Sequence, residues 1–279
     1  MKFYVGTSGW QYSGWQGKLY PRELAKTRWL NYYAGQFNTV EIDSTFYRLP
    51  GDAAVEQWYT DTPPGFCITL KASRYVTHVK RPHEAGEATG EFLKRANILK
   101  EKLGVVRFQL PPNMRRDEAR LDSFLSSFPE DIKFAMEFRD KSWFTADVWD
   151  ILHKYRVAFC IMDMPGLSMP VIATTTFAYM RFHGSLLLYA TRYTKASLRK
   201  WADRLKQLQG IKQAYVYFNN DFSGFAVENA RVIQELLLQA DWFHLACLSI
   251  SLTLKRAGGK LQPDALPRRV KCPASPGSS

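Results

Sequence analysis

Histidine is scarce in this chain, and its cysteines form no motif. The five histidines, His78, His83, His153, His183 and His244, include no HExxH pair, so the helical zinc site of a metalloprotease is excluded. Cys67, Cys160, Cys247 and Cys272 lie far apart without a CxxC, which excludes a zinc ribbon and a thioredoxin-type redox pair. A reduced, cytoplasmic protein is the expectation. Neither GxxxxGK[ST] nor GxGxxG is present, so the phosphate-cradling loops of P-loop and dinucleotide-binding folds are absent. Long apolar runs are missing too. The nearest, Trp242 to Leu254, is interrupted by His244, Ser249, Ser251 and Thr253, short of the roughly 18–20 apolar residues a membrane span needs. The opening residues, MKFYVGTSG, turn polar too soon to read as a signal peptide. No membrane partner is expected.

What is present is ample apolar material and an excess of positive charge. With 279 residues, 46% of them hydrophobic, the chain can bury one large core. Thirty-eight Lys and Arg oppose 26 Asp and Glu, a net charge of +12. The expected partner is therefore anionic, a small molecule or a nucleic acid, and charge alone does not choose between them. From Lys255 onward six basic residues face one acid among four prolines. That composition predicts a basic extension over 241–279, disordered from about residue 255, behind a folded domain at 1–240.

Short β-rich runs recur through that domain: Phe3–Gly6, Thr39–Asp43, Cys67–Lys71, Val105–Leu110, Lys133–Phe138, Ala158–Asp163, Ala178–His183 and Ala214–Asn219. Their spacing is that of βαβ units. Amphipathic helices are expected at Glu91–Leu103, Asp117–Phe128, Ala146–Tyr155, Lys195–Gln209 and Ala226–Gln239. The interval after the sixth run is too short for a full crossover helix and holds Pro165 and Pro170. These features predict an α/β fold, a single TIM-like (β/α)8 parallel barrel whose helix between strands six and seven is reduced or missing.

Alternation then assigns faces, because residues i and i+2 of a strand share one. Glu41/Asp43, Thr69/Lys71, Arg107/Gln109, Glu137/Arg139, Ile161/Asp163 and Arg181/His183 each bracket an apolar residue, and Asn219 and Asp221 extend the pattern. With the apolar set facing the helices, the polar set faces the barrel axis at the C-terminal strand ends, where barrel active sites lie. Glu41 and Glu137 are candidates for acid/base work, because a carboxyl desolvated in a barrel mouth can be raised toward neutral pH. Lys71 suits either a Schiff-base nucleophile or a phosphate cation. His183 is a candidate base. Asp43, Arg107, Gln109, Arg139, Asp163, Arg181 and Asn219 are candidate substrate contacts, the arginines as forked donors to a carboxylate or phosphate. Trp10, in the glycine-rich loop after the first strand, is a candidate stacking residue. No cofactor is expected. A divalent metal has only the weak set Glu137, Asp163 and His183, next to cations that repel it.

The segments GTSGWQYSGW, FNTVEIDSTFYRLP, FCITLKASRYVTH, VVRFQLPPN, FAMEFRDKSWF, AYMRFHG and VYFNND, in that order, resemble the YecE-like family, domain of unknown function family 72, over about residues 1–235. The resemblance implies a (β/α)8-like barrel and no established activity. Likeness of such barrels to metal-dependent endonucleases and sugar isomerases suggests nucleic-acid or phosphate chemistry, although the histidine-rich metal set is missing here. Three functions compete: an enzyme, hydrolase or isomerase/lyase, acting on a phosphorylated or other anionic substrate; a nucleic-acid-binding protein, nuclease-like or not; and a non-catalytic barrel with a structural ion-pair ring. The first is favoured.

Overall fold

A computed structural model describes residues 1–76, 86–184, 187–221 and 224–238. The basic extension expected at 241–279 lies outside the described residues, as do His78, His83 and His244. Eight parallel strands run in the order β1-β8-β7-β6-β5-β4-β3-β2. They are β1 Lys2–Thr7, β2 Thr39–Ile42, β3 Cys67–Lys71, β4 Leu103–Gln109, β5 Lys133–Glu137, β6 Ala158–Asp163, β7 Phe177–Phe182 and β8 Gln213–Phe218. Helices α1 Trp29–Ala34, α2 Asp52–Thr60, α3 Gly86–Ala96, α4 Glu118–Leu125, α5 Ala146–Lys154 and α6 Lys195–Gln207 connect them, and α7 spans 225–238. No helix separates β6 from β7, as the two prolines there foretell. This is the expected TIM-like barrel. Among the described residues no helix is long and apolar enough to cross a membrane.

Two helices escape the sequence pattern. α1 is six residues of WLNYYA, rich in aromatics that suit a strand equally well, and α2 fully buries only Val55. The helix expected at Glu91–Leu103 instead starts at Gly86 and ends at Ala96. A 3₁₀ segment, Asn97–Lys102, then leads into β4.

The barrel closes at an unusual seam. β1 and β2 share one backbone bridge, Ser8 to Glu41, and side chains take over the rest of the pairing. Asn38 donates from Nδ2 to the Phe3 carbonyl (2.8 Å) and accepts from the Val5 amide (3.0 Å). The Tyr33 hydroxyl accepts from the Thr7 amide (2.9 Å) and donates to the Thr39 carbonyl (3.1 Å). These four strand-edge groups are thereby satisfied. Gly6 makes the approach possible, since a Cβ there would lie 2.1 Å from the Thr39 carbonyl oxygen.

Two apolar layers follow from alternation. The outer layer, between sheet and helices, holds Ile42, Leu70, Phe108, Phe138, Ile161 and Phe182. The inner layer holds Tyr4, Cys67, Val105, Ala135, Ala158, Cys160, Met162, Phe177, Tyr179, Tyr215 and Tyr217. On β6 the inner residues are Ala158, Cys160 and Met162, whereas Phe159 and Ile161 face the helices. Asp163 therefore belongs to the outer face, which corrects its expected inward placement. Trp201 of α6 confirms this by donating from Nε1 to Asp163 Oδ2 at 2.7 Å.

Candidate functional site

Above the apolar floor the barrel interior turns ionic. Arg107 from β4 and Arg181 from β7 are both buried at the axis. Arg107 reaches three carboxylates at once: Nε to Glu41 Oε1 (2.7 Å), Nη1 to Glu137 Oε2 (2.6 Å) and Nη2 to Asp43 Oδ1 (2.6 Å). Arg181 meets the same three acids from the opposite side, with Nη2 at 2.8 Å from Glu41 Oε2 and 2.9 Å from Asp43 Oδ2, and Nη1 at 3.1 Å from Glu137 Oε2. Arg139 completes the set by gripping Glu137 Oε1 through Nε (2.8 Å) and Nη2 (2.7 Å). Ser8 Oγ donates to Glu41 Oε2 at 2.6 Å, and the Tyr179 hydroxyl donates to Glu41 Oε1 from below. Every oxygen of the three carboxylates is thus engaged by a guanidinium nitrogen. Three anions and three cations form a neutral cage. Burying them costs several kcal/mol per ion, and only such complete pairing offsets that.

The cage governs the acids' chemistry. Burial alone would raise the Glu41 carboxyl, but Arg107 and Arg181 overturn this and bring it to about 2. Glu137 is held well below the usual carboxylate range, again against burial, by Arg107, Arg181 and Arg139. Both are fixed anions at neutral pH, a poor setting for the general acid/base role expected of them. They orient arginines instead. His183 is pushed well below its ordinary value by burial and by Arg181, so its ring is neutral. Its Nε2 lies 3.2 Å from Arg181 Nη1, which can only donate. Nε2 therefore accepts from Arg181, and the Asn219 side-chain amide nitrogen lies 3.4 Å from Nδ1. A histidine enclosed this way is a wall residue, not a free base.

Lys71 differs from its neighbours. It stands beside Arg107 in the β3–β4 register and is only 8% exposed. Its Nζ sits 3.9 Å over the Phe46 ring, yet has no carboxylate partner among the described residues. Burial, and then the nearby Arg107 charge, lower its amine to about 8. Lys71 lines a cavity of about 540 Å³ together with Asp43, Phe46, Tyr47, Arg74, Gln109, Arg139, Arg181, Tyr189 and Asn219. This is the barrel mouth, at the C-terminal strand ends, where barrel chemistry is built. Arg74 likewise has no ion-pair partner among the described residues. With the cage neutral, Lys71 and Arg74 give the mouth its surplus positive charge.

Ten of the twelve expected residues converge here: Glu41, Asp43, Lys71, Arg107, Gln109, Glu137, Arg139, Arg181, His183 and Asn219. Two do not. Trp10 is buried in a T-shaped contact with Trp58 of α2, ring centroids 6.1 Å apart, and is not part of the mouth lining. Asp163 faces α6, so Glu137, Asp163 and His183 do not converge on one ion; among the described residues no group of three or more metal-ligating side chains is arranged to do so. Asp221, expected in the ring, accepts from Trp15 Nε1 at 2.7 Å and lies off the cavity lining. Asp163→Ala is expected to leave ligand binding in the mouth unchanged and to lower stability by about 1 kcal/mol, the worth of its indole hydrogen bond. Paired titrations and urea melts check this.

Four participants were not singled out from the sequence: Arg74, Tyr189, Ser8 and Tyr179. Tyr179 was within reach, being two residues before Arg181 on the same strand face. Arg74 and Tyr189 lie beyond the strand ends, where alternation no longer applies.

A family model described as "Protein of unknown function DUF72" matches residues 4–246. The chain is 27% identical over 268 residues to the UPF0759 protein YunF of Bacillus subtilis, spanning 84% of this chain and 94% of that protein. It is 29% identical over 142 residues, half of each chain, to the UPF0759 protein YecE of Escherichia coli. The crystal structure of a DUF72 family protein from Thermotoga maritima superposes with a TM-score of 0.75 at 29% identity, covering 85% of this chain and 99% of that one. A DUF72 protein from Enterococcus faecalis, 21% identical with a TM-score of 0.70, shares the fold. This chain, with its eight-stranded barrel and caged arginines, belongs to the DUF72 family.

Proposed function

We propose that the protein is a barrel enzyme acting on a small organic anion, a phosphate or carboxylate compound, bound in the mouth. One observation carries the reading: among the described residues, Lys71 and Arg74 stand without carboxylate partners over a cage whose charges already cancel. A buried lysine without a counter-ion is costly to keep, and an anionic ligand removes that cost. Arg139 and Gln109 supply further donors around the same cavity. Because the caged glutamates are fixed as anions, proton transfer falls to Lys71, whose amine near 8 exchanges a proton at cellular pH. The aromatic loop after β1 gives little support to a nucleic-acid platform, since Trp10, Trp15 and Tyr20 are all buried.

The test is calorimetric titration with inorganic phosphate and a panel of sugar phosphates and carboxylic acids at low ionic strength. Saturable binding is expected, weakened about tenfold or more by Arg74→Ala, as loss of a charge-assisted contact of 1.5–3 kcal/mol requires. Arg199→Ala, on the exposed face of α6, is expected to change nothing. Equal binding by wild type and the Arg74 variant would overturn the reading.

A further inference from the structure

Lys71 has the surroundings of a nucleophilic amine. Its position on a strand end is fixed by the β3–β4 ladder. Its side chain lines a cavity with room for a small molecule. The groups that would hold it as an ammonium are taken: both oxygens of Glu41, of Asp43 and of Glu137 are bound by guanidiniums. A lysine kept from its counter-ions beside another cation is the arrangement in which amines attack carbonyl carbons. Resting on the anion reading above, and extending it, we propose that Lys71 forms an imine with its substrate, an organic anion bearing an aldehyde or ketone.

The step balances within the mouth. The Nζ lone pair attacks the carbonyl carbon, a C–N bond forms, and the π pair passes to oxygen. The two amine hydrogens leave with that oxygen as water, giving C=N. A solvent proton on nitrogen then makes the iminium, which draws electrons from the adjacent carbon. Arg74 and Arg139, on the same cavity, are placed to hold the anionic end.

The experiment traps the imine in the full chain, with glyoxylate as the probe and borohydride as the reductant, read by peptide mass spectrometry. Surface lysines of the same digest, Lys195 and Lys200 on α6, are the internal reference. At neutral pH an amine with its value near 8 holds about three hundredfold more neutral form than an ordinary lysine. Lys71 is therefore expected to be carboxymethylated at least about tenfold faster than the reference lysines. Its rate should level off above pH 8, and inorganic phosphate should slow it alone. Labelling of Lys71 at the reference rate, or none, while phosphate still binds, overturns the imine and leaves the anion site standing. Fast labelling of Lys71 that phosphate neither slows nor binds beside supports the nucleophile and overturns the anion site.

Discussion

Arg107→Met is expected to lower the free energy of unfolding by about 3–5 kcal/mol, the cost of leaving buried charges without a partner. Arg107 is fully buried and supplies one nitrogen to each of Glu41, Asp43 and Glu137. Methionine fills similar space, so lost volume contributes little and the effect reports on charge. Arg181 still faces the same acids, but one guanidinium cannot replace the other's three contacts. Urea denaturation at pH 7 checks this, and a loss below about 1 kcal/mol would mean that water enters the cage. Acid reads the same cage. The Glu41 carboxyl is near 2 when folded and 4.5 when free. Its contribution is complete above the free value and is lost as pH falls toward the folded one.

Lys71→Met is expected to move stability the other way, raising it by about 2 kcal/mol at pH 7. The sign follows from linkage. The unfolded chain holds the Lys71 proton up to its ordinary 10.5, the folded chain only to about 8. Between those values the unfolded state binds more protons, so wild-type stability rises with pH, and below them the penalty is complete. Methionine removes the penalty, and its advantage should shrink as pH climbs from 8 toward 10. Melts across that range measure it. A purely structural polar ring predicts the reverse, with the Lys71 variant less stable at every pH. The same substitution should abolish anion binding, so stability gained and function lost would mark the residue as kept for its chemistry.

Five of the eight strands, β2, β3, β4, β5 and β7, disclosed their inner face through polar pairs separated by one apolar residue, and that placed most of the mouth. β6 did not. Its inner residues, Ala158, Cys160 and Met162, are as apolar as its outer ones, so the only polar side chain, Asp163, suggested the wrong parity. Trp10 failed for a related reason: a loop indole beside a barrel mouth looks the same in sequence whether it covers ligand or, as here, packs on Trp58. The roles of Glu41 and Glu137 turned on distances. Alternation put acids and arginines on one axis, but whether an acid's pKa rises with burial or falls with pairing depends on contacts of 2.6–3.1 Å that no spacing encodes. The seam at Asn38 and Tyr33 was hidden because side chains there do work ordinarily done by backbone.

The floor of the barrel limits how this sequence can drift. Apolar cores usually accept wholesale exchange among aliphatic residues if volume is kept. Beneath the cage, however, stand tyrosines with two obligations each. Tyr179 fills the axis and donates to Glu41, while Tyr217 fills it and shares hydrogen bonds with Thr39 and Thr69 at 2.8 and 2.7 Å. Tyr4 and Tyr215 stack below, 4.8 Å between centroids. Rewriting this layer in leucine and valine would strand hydroxyls and carboxylate lone pairs together, so no single step leads out of it. Freedom to diverge lies instead in the loops after β2, β3 and β7, which carry Tyr47, Arg74 and Tyr189 to the cavity. A lineage built on this barrel can change the lining of its mouth far more readily than what holds it shut.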